Sequence, residues 1–166
     1  YYDYFNTTTP YEKKFSGFIV FDKPKYKPND TVKVKAYIVN KAKRPVNRPL
    51  LFRLSAEDFE VDTILNVLKP YGKGGYECSF VLKENLELDL DNEVMVSLEE
   101  LSSRKYDLAN NVGDLDEEEF ASKRKILIRG KFYYEDYELN SLSFKAKLDK
   151  NKYHLGEANQ LILKVT

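Results

Sequence analysis

The sequence predicts an all-β chain: an antiparallel sandwich of about seven short strands, followed by the first strands of a second, similar sandwich. Three observations lead there. Apolar residues alternate with polar ones at period two in segment after segment, as in Val32, Val34, Ala36 and Ile38 against Lys33, Lys35 and Tyr37. Proline, glycine and asparagine punctuate the chain between those segments. Finally, the chain repeats itself. FDKPKYKPNDTVKVKAY over 21–37 returns as LDKNKYHLGEANQLILKV over 148–165, so that Asp22, Lys23, Lys25 and Tyr26 fall on Asp149, Lys150, Lys152 and Tyr153 at a constant offset of 127, with Asp30 against Glu157. The apolar phase survives the offset: Leu161, Leu163 and Val165 fall on positions 34, 36 and 38. A slip of one residue would invert every side chain, so both stretches are expected to serve one structural role.

Taken in order, residues 1–14 (YYDYFNTTTPYEKK) carry no sustained period and suit a linker or a preceding strand lying on the module. A first strand is expected over 15–21, closed by Pro24 and Pro28 around Tyr26, because proline lacks the ladder donor. Asn29 and Asp30 make a turn, asparagine being tolerant of left-handed backbone. The clearest strand is 32–39, with Lys33 and Lys35 toward solvent. NKAKRPVNRPL reads as a loop, LLFRL as an extended segment, and 61–68 as a strand rather than a short helix, given Val61, Thr63, Ile64 and Val67 ahead of Gly72, Gly74 and Gly75. Two half-buried strands follow. In one, Tyr76, Cys78, Phe80 and Leu82 alternate with Glu77, Ser79, Val81 and Lys83; in the other, Val94, Val96 and Leu98 alternate with Met95, Ser97 and Glu99. The last strand of the module is 126–134. Val32, Val34, Ala36, Ile38, Tyr76, Cys78, Phe80, Val94, Val96 and Leu98 are expected to point into one core.

Between Glu99 and Lys125 the rhythm stops at EELSSRKYDLANNVGDLDEEEFASKRK, far longer than a hairpin connection requires. This reads as an insertion, mobile or partly helical, without essential core residues. Replacing 102–122 by a short Gly-Ser linker should then leave the rest folded. The domains expected are 1–14 as linker, 15–134 as a sandwich with an insertion at 99–125, and 135–166 as a junction and a truncated second sandwich. Two strands cannot bury a core alone, so the chain is expected to be a fragment of a longer protein.

Composition narrows the partners. Twenty-seven basic and 27 acidic residues leave a net charge of zero, with no field to attract nucleic acid or an acidic membrane. Thirteen Tyr and ten Phe with no Trp suit strands. No apolar run approaches the roughly 18 residues of a membrane span. A single cysteine excludes an internal disulfide and leaves the redox compartment open.

The order Asp22, Lys23, Pro24, Tyr26, Pro28, Thr31, Val32, set between two strands, resembles the second macroglobulin-like domain of the alpha-2-macroglobulin superfamily. GGYECSFVL resembles a later strand of the same domain, and FYYEDYELNSLSFKAKLDKNKYHLGE looks like the junction to the next one. The resemblance covers 15–166. Asn29 departs from the glycine usual there, the mildest departure an L residue can make. The resemblance implies a β-sandwich serving as one brick among similar domains, in proteins that trap proteases after cleavage of a bait segment and often attach them through a thioester. The thioester motif Cys-Gly-Glu-Gln is absent, Cys78 standing in Tyr-Glu-Cys-Ser, and nothing marks the insertion as a bait. The spelling is similar to bacterial, Bacteroidetes-like envelope proteins, which implies a periplasmic, cell-surface or secreted location.

The candidate chemistry is thin. Cys78 as a nucleophile needs a base, and the sole histidine, His154, lies in the repeat at the position of Lys27; a small inward-facing residue is the plainer reading. One His and one Cys are too few for zinc. The acids Asp114, Asp116, Glu117, Glu118 and Glu119 lack calcium-loop spacing, since Gly113 precedes them. Asn6-Thr7-Thr8 and Asn29-Asp30-Thr31 match the glycosylation triplet, and Lys41, Lys43, Arg44 and Arg48 read as a solvated loop. No catalytic, cofactor-binding or metal residue is therefore named, and no cofactor. The expected function is a non-catalytic structural module of a larger alpha-2-macroglobulin-like envelope protein, contacting neighbouring modules of its own chain and, through the full-length protein, a target protease. Two alternatives stand beside it: a binding or adhesion module for a protein or glycan, and an accessory domain of a carbohydrate-active enzyme.

Overall fold

The structure, a computed structural model, describes residues 8–56, 61–105, 123–136, 144–148 and 161–165. It falls into two units, Tyr1–Asp136 and Tyr137–Thr166.

The first unit holds strands β1 (Phe15–Phe21), β2 (Lys25–Tyr26), β3 (Thr31–Asn40), β4 (Leu50–Ala56), β5 (Asp62–Leu68), β6 (Gly75–Val81), β7 (Asn92–Glu99) and β8 (Ile126–Tyr134). They form two sheets, β1-β3-β6 and β2-β8-β7-β4-β5, antiparallel throughout except where β2 runs parallel to β8. This is the sandwich that the alternation and turn chemistry predict. Short polar turns let consecutive segments reverse, and inward positions of both sheets meet in one core.

Val32, Val34, Ala36, Ile38, Tyr76, Val94, Val96 and Leu98 are buried in that core, and Cys78 and Phe80 pack against it half-buried. Lys33 and Lys35 are exposed, as the register requires. Phe132 takes the edges of two neighbours, Phe21 at 5.4 Å and Tyr26 at 5.1 Å between ring centroids. Each such ring buried contributes about 1.5–3 kcal/mol from the area removed from water. Two glycines permit close approaches. A Cβ on Gly17 would lie 1.9 Å from the carbonyl oxygen of Tyr37, and one on Gly130 of β8 would lie 3.0 Å from Ile19 of β1.

One expectation fails at β7. Met95, Ser97 and Glu99, assigned to the solvent side of a half-buried strand, are all buried, and β4 is buried along both faces. The cause is cover. A 3-10 turn over Leu101–Lys105 and residues 123–125 lie on the outer face of the five-stranded sheet, and the segment 8–14 binds it through Glu12. A polar residue on a strand looks the same in sequence whether water or a buried partner faces it.

The second unit is described as β9 (Phe144–Leu148) paired antiparallel with β10 (Leu161–Val165). Leu148 faces Leu161, Ala146 faces Leu163 and Phe144 faces Val165. In the first unit Phe21 faces Val34, Ile19 faces Ala36 and Gly17 faces Ile38. Every pair in the second unit therefore sits 127 residues beyond its counterpart, the spacing found in the sequence. Asp149, Lys150, Lys152, Tyr153, His154 and Glu157 lie outside the described residues, as do Asn6 and the acids at 114–119.

Candidate interaction surfaces

Cys78 sits on the inward side of β6 across from Val34, half-buried, its thiol directed to the carbonyl oxygen of Ser79 at 3.8 Å. Burial raises its pKa, the opposite of what an activated thiolate needs. The cationic loop is exposed, but Arg48 is not simply solvated: it binds Glu100 through Nε at 3.1 Å and through Nη2, and its guanidinium lies over the Phe15 ring. Tyr11 donates to the same carboxylate at 2.8 Å. Burial would raise the pKa of Glu100, yet the Arg48 and Tyr11 hydrogen bonds hold it below the usual range.

The signature between β1 and β3 proves to be a fastener. Tyr26 is fully buried, and its hydroxyl donates to Asp22 Oδ1 at 2.7 Å while accepting from the Lys23 amide at 3.0 Å. Asp22 also accepts from the Lys33 amide at 2.9 Å, so one carboxylate joins the turn to the start of β3. That hydrogen bond from Tyr26 is the main reason its pKa is lowered. Lys23 Nζ and the Lys27 amide both reach Asp30 Oδ2, and Asn29, at φ 67°, turns the chain in the left-handed region expected of it. The turn is then tied outward. Asn29 donates to the carbonyl of Leu82, Leu82 donates back to Asp30, and Tyr133 and Glu135 donate to the carbonyls of Pro24 and Tyr26. The prolines thus bracket two residues that add a parallel strand to β8, a strand the sequence did not reveal.

The outward face of the three-stranded sheet carries four of the exposed large apolar side chains among the described residues. Phe18, Val20, Tyr37 and Val81 are 54%, 48%, 37% and 37% exposed, and the Phe18 and Tyr37 rings face each other across β1 and β3 at 6.0 Å. Beside them a shallow groove of about 600 Å³ runs past Val20, Lys33, Lys35, Glu77 and Ser79. The register supplies an internal comparison. At the positions of Phe18, Val20 and Tyr37 the second unit has Lys145, Lys147 and Lys164, and Lys145 faces Lys164 just as Phe18 faces Tyr37. The strand pairing itself therefore does not demand apolar residues there.

On the opposite side lies a buried group of charges. Arg53 of β4 meets Asp62 of β5 at 3.1 Å and Glu99 of β7 at 3.4 Å, and Arg124 meets Asp62 at 3.3 Å and both oxygens of Glu99. All four side chains are shielded from solvent. Ser55 donates to Asp62 at 2.7 Å, Ser97 to Glu99 at 2.6 Å, and Arg53 Nη2 to the carbonyl of Ser103 at 3.3 Å. Burial alone would raise the pKa of Glu99, but Arg124, then Arg53 and Ser97, hold it below its ordinary value. The ends of the insertion are thus built into the molecule, and Ser103, within the stretch 102–122 expected to be removable, is fully buried.

Fold and surfaces together define a β-sandwich module with one apolar outward face and one face over a group of buried charges. No family model and no curated protein matches the sequence. Three solved structures of Escherichia coli alpha-2-macroglobulin resemble it. For the form activated by porcine elastase the identity is 15% and the TM-score 0.48, over 80% of this chain and 10% of that one. For the trypsin-activated form the values are 16% and 0.49 over 89% and 8%, and for the native conformation 16% and 0.45 over 90% and 8%. The chain thus spans a tenth or less of those proteins. Identity and superposition at this level say nothing by themselves of what this chain does.

Proposed function

We propose that residues 15–134 are a macroglobulin-like module and that 135–166 open a second, within a longer alpha-2-macroglobulin-like envelope protein that traps proteases. The module's part is non-catalytic. It supplies shape, and it offers the apolar outward face of β1, β3 and β6 to a neighbouring module. One observation carries the reading: β9 and β10 repeat the register of β1 and β3 pair for pair at the spacing of the sequence repeat. The Asp22, Lys23, Pro24, Tyr26, Pro28 signature supports the family, and the fastening role of Asp22 and Tyr26 gives a reason for the Asp149 and Tyr153 that repeat them. Phe18, Val20 and Tyr37, standing where the second unit has lysines, support contact rather than solvation at that face.

The test uses the full-length protein. Incubated with trypsin, it should retain the protease in a form that still cleaves a small chromogenic peptide but no longer digests a large protein such as casein. Undiminished casein digestion, with the protein merely degraded, would overturn protease trapping. Lysines at 18, 20 and 37 should loosen the packing of modules in that protein, read as new limited-proteolysis sites between them. An unchanged cleavage pattern would mean that the face meets a separate partner, the adhesion reading.

A further inference from the structure

We infer that the outer edge of β6 is a contact between copies of this chain, two β6 strands pairing antiparallel across a two-fold axis at Cys78. Strand β6 ends the sheet β1-β3-β6. Which of its backbone groups face β3 follows from the bonds at its two ends. The Leu82 amide donates to the carbonyl of Asp30 and the Ile38 amide to that of Gly74, both at 3.0 Å, and the register between them is unbroken. Bonded and non-bonded pairs alternate in an antiparallel ladder, so Tyr76, Cys78 and Phe80 turn their amides and carbonyls toward β3, and Glu77 and Ser79 turn theirs to the outer edge. Both ends of that edge are already in use: the Gly75 carbonyl accepts from the Tyr71 amide, the Gly75 amide donates to the carbonyl of Gly72, and the Val81 carbonyl accepts from Lys83. Among the described residues no backbone bond reaches Glu77 or Ser79 from that side, and both residues are exposed.

Two sets of open groups separated by one residue fix both the partner and the register. With Glu77 of one copy across from the partner's Ser79, each amide meets a carbonyl in both pairs, and Cys78 faces the partner's Cys78 at the non-bonded position between them. An axis at Glu77 or at Ser79 would satisfy half of these groups, and the first would also set two carboxylates face to face. The Ser79 carbonyl takes the long contact from the Cys78 thiol, but a carbonyl oxygen has a second lone pair. Nor does the edge carry the devices that block such pairing. Gly75–Val81 contains no proline, lysine or register shift, and its one charge, Glu77, is drawn to Lys35 at 3.8 Å. Pairing joins the two three-stranded sheets into one, with the half-buried Phe80 across from the partner's Tyr76 on the inner face. This contact uses an edge and a second copy, and so goes beyond the contact proposed for the outward face with a neighbouring module.

So short a contact lies below the roughly 1,200–2,000 Å² of a stable interface, so the association is weak and is read at high concentration. The test is analytical ultracentrifugation of the whole 166-residue chain from about 10 μM to about 1 mM, over which the mean mass should climb from one chain toward two. Ser79→Pro removes an amide that points away from the β3 ladder, so the variant should melt as the parent does and associate about ten-fold or more weakly. If Ser79→Pro does not fold, Glu77→Pro removes the other amide of the pair and carries the comparison. Lysines at 18, 20 and 37 should leave association within about three-fold of the parent, since they change the face and not the edge. The thiols report the register. Non-bonded Cα atoms lie about 4.5 Å apart, within disulfide reach, so diamide should join Cys78 to the partner's Cys78 in the parent and not in Ser79→Pro, the two thiol hydrogens passing to its azo bond to give the hydrazine. A chain that stays monomeric throughout, a dimer that persists in Ser79→Pro, one dissolved by the lysines, or one without the Cys78 cross-link would each overturn the edge pairing.

Discussion

At the scale of single residues, Tyr26 is the side chain on which most depends. Its ring fills the space beside Phe132, and its hydroxyl holds Asp22. Burial and then the Asp22 carboxylate push its pKa up, so it stays a donor at any ordinary pH. Tyr26→Phe keeps the ring and removes a hydrogen bond to a charged group; unfolding in urea should show a loss of about 2 kcal/mol. Asp22 gives the same contact a pH signature. Its folded pKa lies below its unfolded one, so the stabilisation is present above the ordinary aspartate range, near about 4, and is lost as pH falls through the folded value. Urea midpoints measured from pH 6 down to pH 2 should therefore fall less steeply in Asp22→Asn than in the parent. Sequence reading reached these residues as a signature but not their contacts, because spacing alone does not say which hydroxyl meets which carboxylate.

At the scale of elements, the strands were legible and their surroundings were not. Period two located β3 and β6 closely, since a strand with one wet face writes its environment into alternate positions. β2 could not be read: two residues between prolines carry no period. The outer face of β7 was misread because Ser97 and Glu99 are polar whether they meet water or a buried partner such as Arg53. Arg124, 71 residues beyond Arg53 in the numbering, gave no local sign of that meeting. The tight pairing of β1 with β3 yields a further expectation. Gly17→Ala would thrust a methyl group into the Tyr37 carbonyl, and the ladder must yield by shifting backbone. A loss of about 2–3 kcal/mol in chemical denaturation is expected, with faster exchange of the β1 amides. A cost under about 0.5 kcal/mol would show that β1 relaxes freely.

At the scale of the whole molecule, the two sheets present opposite characters. One outer face covers the buried Arg53, Asp62, Glu99 and Arg124, and the other leaves Phe18, Val20, Tyr37 and Val81 open. Giving positions 18, 20 and 37 the lysines that the second unit carries at the same register should leave the melting temperature of the 166-residue chain within a few degrees, since these are surface positions. It should also lower the binding of a hydrophobic dye. A collapse of cooperative melting would mean that these residues hold the sandwich together.

The short parallel pairing of β2 with β8 bears on how the module would carry mechanical load. Strand β2 follows the first strand and β8 is the last of the unit, so a pull on the flanking chain is borne near this pairing, where the Tyr133 and Glu135 amides grip the carbonyls of Pro24 and Tyr26 and Lys25 meets Glu135 at 2.6 Å. Parallel strands drawn from opposite ends are sheared, and bonds lying across the pull must break together rather than one after another. A row of modules fastened in this way transmits a tug from one end to the other before any of them opens. In single-molecule pulling through the ends of the first unit, Tyr26→Ala should lower the rupture force by more than its equilibrium destabilisation accounts for, whereas a proportionate fall would place the resistance elsewhere in the sheet.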